Sequence, residues 1–350
     1  MKKVITFSCI LFLLFEISGF SQIYVVEVRV KGSKEWGYAK LDGEIIIEPQ
    51  FKLSNEFSEN GRALVLQGKR WSIIDLEGNI LDVDVKKIRV YADPWTGVPS
   101  MYNDGLLCIT QDKKWGALNS DGKLFIPLIY DNLTDFNGGY AIAELDHRFI
   151  VIDKEGNETP ISDPTIIGVK RYSEDLAPCE VKGNKWGYID TSGELVITPQ
   201  YSSVGYFSGG LAWARAQNGK IGYIDKKGNW IINPHFSSAK NFDAVSGMAL
   251  VTSEEKRTYV NKSGEQSSFK QTSKLYVFSE GLAIARWNGK LGFINYNMEW
   301  VVQPKYDAAR AFHNGYAAVR INSRWGIIDK NGNVVLEPVF MNMQNVEIIY

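Results

Sequence analysis

Eight Asp or Asn residues recur at one position of a repeated pattern: Asp75, Asn119, Asp153, Asp190, Asp225, Asn261, Asn295 and Asp329. A row of acids at fixed spacing is raw material for calcium binding or general acid–base chemistry. The residue three further on argues for a humbler role. It is Gly78, Gly122, Gly156, Gly193, Gly228, Gly264 and Gly332, with Met298 the exception. Asp or Asn at the first position of a type I turn accepts a backbone N–H, and Gly closes the turn. The acids are therefore read as turn caps. The three histidines, His147, His235 and His313, fall in unrelated slots, so no metal cluster or His-based triad is visible. There is no Gly-rich phosphate loop and no CxxC pair. No catalytic residue, cofactor or metal is expected.

Two further sets have binding potential. The residue before the recurring aromatic is basic in eight copies, among them Lys114, Lys185, Lys220, Lys290 and Arg324. In a regular array these form a row of cations. It is either a solvated strand edge, whose alkyl stems cover apolar surface, or an anion-binding rim. The second set lies in an insertion at about 82–103, in Y-A-D-P-W-T-G-V-P and just after it: Tyr91, Asp93, Trp95 and Tyr102. Insertions in repeat proteins map to loops, often on a binding face. With Trp287, which abuts a hairpin turn, these residues suit a glycan or a protein partner. The alternative is a decayed repeat whose aromatics fill a gap.

Elements that position such residues follow from the repeat itself. Lys185–Tyr201 reads K-W-G-Y-I-D-T-S-G-E-L-V-I-T-P-Q-Y. The same template recurs with its first slot at Trp36, Trp71, Trp115, Phe149, Trp186, Ile221, Arg257, Leu291 and Trp325. The strand before the turn is apolar on both faces and must be covered on both, which argues for stacked sheets. Gly after the Trp lets a ring or another backbone approach closely. Pro49, Pro127, Pro199, Pro234, Pro304 and Pro338 end the next strand or confine it to an edge. A Phe, a Gly and a short Leu-Ala strand then lead to hairpin turns such as Asn218-Gly219. Each repeat is three or four short antiparallel strands.

These K-W-G-Y-I-D…V-I-x-P-x-Y…F-x-x-G-L-A units resemble the WG-repeat family of bacterial proteins, over roughly Ile23 to Phe340. The resemblance implies tandem β-rich repeats, often exported, and carries no catalytic residues. The fold expected is all-β: about nine antiparallel repeats of ~35 residues, in a propeller-like ring or an open superhelix. A strand at each end of the chain offers a way to close the ring.

Residues 1–21 have the basic start, apolar run and small-residue site of a signal peptide, leaving the array at 22–350. The formal net charge of −1 gives no footprint for nucleic acid or an anionic membrane. Cys108 and Cys179 each stand seven residues before a motif Trp, two repeats apart, and are expected as free buried thiols. Three readings of function follow. The first is an exported, non-catalytic recognition scaffold for a protein partner. The second is a glycan-binding module. The third is a hydrolase in a central channel, which two or more convergent carboxylates or a metal would favour.

Overall fold

The computed structural model describes residues 22–85, 89, 101–272 and 274–349. The expected signal peptide lies outside these residues, as do Tyr91, Asp93 and Trp95 of the insertion.

Every regular element described is a strand, and the strands form nine small antiparallel sheets. Eight sheets have four strands and one has three. Blade five shows the plan. Its strands are Ile166–Val169, Ala177–Val181, Lys185–Ile189 and Leu195–Tyr201, paired in that order. The Trp-Gly strand is always third, so the sequence repeat is out of step with the blade. It spans strands three and four of one blade and strands one and two of the next.

That offset dictates how the chain closes. The N-terminal strand, Ile23–Arg29, is a second strand without a first. The C-terminal strand, Asn342–Ile349, supplies it. The two pair antiparallel from Ile23↔Ile349 to Arg29↔Asn342. The packing agrees. Nine apolar clusters each join two consecutive blades, including one that joins blade nine (Trp325, Ile327, Leu336) to blade one (Val26, Val28, Ala39). An open array of nine has only eight internal interfaces. The protein is a closed nine-bladed β-propeller, not a superhelix.

Both faces of the third strand are used as its pattern requires. Trp186 and Tyr188 pack toward blade six, and Ile189 packs toward blade four. All four tyrosines in the Tyr188 slot also reach a backbone carbonyl seventeen residues on, in the next blade. Tyr38 donates to Asn55 O at 2.8 Å, Tyr188 to Gly205 O at 2.7 Å, Tyr223 to Lys240 O at 2.7 Å and Tyr259 to Tyr276 O at 2.6 Å.

The motif glycine makes room for backbone. Trp186 faces Tyr201 and Tyr188 faces Ile197, so two extra residues bulge from the fourth strand opposite Gly187. A Cβ on Gly187 would lie 2.2 Å from Ile197 O and 2.8 Å from Pro199 N. The same clash recurs at Gly37, Gly116, Gly222, Gly292 and Gly326, in each blade with the motif proline. Blades two, four and seven lack that proline, and at the glycine slot they carry Ser72, Ile150 and Thr258. The fourth strands of blades four and seven pair without a shift. Gly and Pro thus form a single device. The proline does not end its strand: Leu195–Tyr201 runs through Pro199 as an edge strand.

Cys108 and Cys179 are free and buried, as expected, but they do not share a slot. Cys108 faces Ala117 and Cys179 faces Gly187. The hairpin after Cys179 has one more loop residue, which shifts the register by one and turns the side chain over. The two thiols lie on opposite faces of blade four, in different clusters.

Candidate functional site at the ring seam

In every blade but the first, where the two chain ends pair, a turn joins strands one and two. Residues from blades nine, one, two and three meet around one cavity of about 420 Å3. Neighbouring turns are tied together. Gly139 N donates to Asp104 at 2.8 Å, Gly210 N to Glu174 at 3.0 Å, Gly281 N to Asp243 at 3.0 Å and Gly315 N to Glu280 at 2.9 Å. Ser173, Ser208 and Ser279 donate their hydroxyls to Phe207 O, Phe242 O and Phe312 O. Four turn carboxylates are thus spent on backbone N–H groups of the next blade, which is structural work.

At the seam this pattern breaks. Where other turns carry Ser, Asn or, in blade seven, Asp243, blade nine carries His313. Its Nε2 lies 3.2 Å from Glu347 on the closing strand. Glu56, from blade two, completes a triad whose ligand-capable atoms lie within 4.8 Å of one another. These three residues line the cavity. Asn314 Nδ2 donates to Glu347 at 3.3 Å and Asn345 Nδ2 to Glu56 at 3.4 Å. Behind the triad is a fourth ionisable group, Glu27, only 5 % exposed and accepting the Ser54 hydroxyl.

The electrostatics follow from crowding. Burial pushes the Glu27 carboxyl up to about 8, against the Ser54 hydrogen bond and Arg310, and with help from Glu56 and Glu347. Burial also raises Glu56, reinforced by Glu347 and opposed by His313 and Asn345. His313 is raised by its hydrogen bond to Glu347, against burial. Arg310, lowered by burial, donates Nε to Met343 O at 2.8 Å.

The residues singled out from sequence are not gathered here, with one exception turned to another use. Tyr102 lines the cavity but is 7 % exposed, and its hydroxyl is spent on Asn119 O at 3.1 Å. It is packing rather than the exposed ring expected, because it serves as the first strand of blade three. Trp287 is exposed at its hairpin, 43 %, and stands apart from the cavity. In the basic row, Lys114 pairs with Asp131 at 2.6 Å, and Lys290 pairs with Asp307. Arg324 reaches Val339 O at 3.5 Å. Lys185 and Lys220 are exposed. The sequence does not reveal the seam triad, because its members lie at unrelated repeat slots, one of them beyond the last full repeat. The single signal is His313 in a slot otherwise filled by Ser, Asn or Asp.

The profile of a family described as "WG containing repeat" matches residues 36–71, 115–146, 186–220, 221–256, 292–325 and 325–346, more than half of the chain. The chain belongs to the WG-repeat family. The unmatched stretches are chiefly the repeats without the Gly–Pro device, which fits their plainer fourth strands. No curated protein matches the sequence. Among solved structures, one titled "Crystal structure of the eukaryotic initiation factor" superposes with a TM-score of 0.58 at 11% identity, covering 93% of this chain and 98% of that one. BamB from Moraxella catarrhalis gives 0.37 at 11% identity, over 73% of this chain and 87% of that one. At such identities the first likeness speaks of fold alone.

Proposed function

We propose that this WG-repeat propeller is an exported, non-catalytic recognition scaffold whose perimeter holds a protein partner. One observation carries the reading. The second residue of the fourth strand is apolar and exposed in blade after blade: Phe125 43 %, Val196 42 %, Ile231 47 %, Val301 37 % and Val335 37 %. Scattered exposed aliphatics are ordinary, but a repeated row at one slot is a surface. The proline bulge beside each one hinders addition of another strand. A partner therefore engages side chains around the rim. Export rests on the pattern of residues 1–21, and no helix among the described residues is long and apolar enough to cross a membrane.

A photo-crosslinking residue at Ile231 or Val335, in the cell that makes the protein, is expected to give a discrete protein adduct. The same residue at Asn218, on a hairpin tip, is expected to give none. No adduct at any rim position, with binding on a glycan array instead, would replace this reading by the glycan one. The hydrolase is a second reading, because Glu56 and Glu347 do converge in the seam cavity. Their ligand atoms lie within 4.8 Å, closer than the ~5–5.5 Å between carboxyl groups that flank a scissile glycosidic bond. Turnover of a glycoside or ester panel, lost in Glu347→Gln, would favour the hydrolase.

A further inference from the structure

We infer that Glu56, His313 and Glu347 form a binding site for a divalent transition-metal ion that bridges the seam of the ring. The donor set is one imidazole and two carboxylates, the mixture suited to Zn2+ or Mn2+ rather than to Ca2+, which prefers oxygen alone. Tetrahedral bonds of ~2.1 Å place ligand atoms ~3.4 Å apart. The three atoms here lie within 4.8 Å, so an ion would draw them inward by about 1 Å at most.

A separate observation points to an absent cation. Glu347 Oε1 is fully enclosed; it lies 3.2 Å from His313 Nε2 but accepts no well-aligned hydrogen bond. A buried carboxylate oxygen held only by that contact is under-satisfied, and a metal between the two groups would satisfy it. The cavity gives water and an ion a route to the triad.

The placement suggests what the ion does. Its ligands come from blade nine, the closing strand of blade one, and blade two. At four other junctions the turns are joined by carboxylate-to-backbone bonds, but in blade one the two chain ends pair in place of a turn. The ion would supply the missing tie, coupling chain closure to metal binding.

The test uses the full mature chain without a histidine tag, stripped with chelator and titrated calorimetrically with Zn2+, Mn2+, Ca2+ and Mg2+. One equivalent of Zn2+ or Mn2+ is expected per chain, with a raised melting temperature and little response to Ca2+ or Mg2+. His313→Gln and Glu56→Gln are expected to weaken binding at least tenfold. His147→Gln, whose side chain is fully exposed on a hairpin, should leave it unchanged. Absence of binding, or binding indifferent to His313→Gln, overturns the inference. If a variant misfolds, carbethoxylation of the wild-type histidines decides: Zn2+ should protect His313 and leave His147 and His235 reactive, and no protection of His313 overturns the site.

Discussion

Replacing Gly187 by Ala adds one methyl group, and the structure says where it goes. The new Cβ meets Ile197 O at 2.2 Å, Pro199 N at 2.8 Å and Pro199 Cα at 3.0 Å. All three are backbone or ring atoms that cannot rotate aside. The bulge must retreat by about 1 Å, straining the pairs Trp186↔Tyr201 and Tyr188↔Ile197. Overpacking of this kind costs ~1–3 kcal/mol, and backbone contact places it near the upper end. Against that, Ala restricts the unfolded chain and returns ~0.4–1 kcal/mol. The net loss is about 2 kcal/mol. An unfolding entropy of ~2.1 cal/mol/K per residue gives about 0.7 kcal/mol/K for the folded array, so the midpoint falls by ~3 °C. Scanning calorimetry and guanidinium titration measure it, and Gly222→Ala in blade six repeats it. Gly219→Ala, on an open hairpin at φ 80°, meets no neighbour and bears only the conformational strain. If Gly187→Ala and Gly222→Ala both melt within a degree of the parent, the Gly–Pro device is not what shapes the blade.

Two other outcomes follow from residues already described. Tyr188→Phe removes a buried hydroxyl from Gly205 O, and is expected to cost ~1 kcal/mol by denaturant titration. Asp329 and Asp153 are held below the ordinary carboxylate range by the side chains of Asn333 and Asn157. In Asp190 and Asp225 burial pulls upward, but the turn hydrogen bonds outweigh it. A folded value below the unfolded one adds stability above about pH 4, lost as pH falls through the folded values. Acid unfolding should therefore begin below pH ~4, and an Asp190→Asn/Asp225→Asn/Asp329→Asn variant should tolerate acid better. Asn119, Asn261 and Asn295 already close the same turn without a charge.

Local chemistry was legible in the chain. Asp190 with Gly193 marks a turn, Tyr188 and Ile189 mark a strand covered on both sides, and Pro199 marks an edge. Each of these acts over a few residues. What needed the structure was of two kinds. One was fine register: a single additional hairpin residue put Cys179 on the face opposite to that of Cys108. The other was long-range assembly. Glu56, His313 and Glu347 are distant in sequence, and only the pairing of the two chain ends brings them to one place. Tyr102 shows the converse, a conspicuous aromatic in an irregular stretch that turned out to be ordinary packing.

Closure is therefore the claim on which the seam site depends, and a disulfide tests it directly. Tyr24 and Ile348 are opposite each other across the closing strands, a spacing of ~4.5–5.5 Å between Cα atoms that a disulfide spans. Tyr24→Cys/Ile348→Cys, oxidised at low concentration, is expected to give an intramolecular bond that shifts gel mobility and raises the melting temperature. Cys108 and Cys179 should remain reduced. Failure to form this bond, or formation only between molecules, would contradict the closed ring.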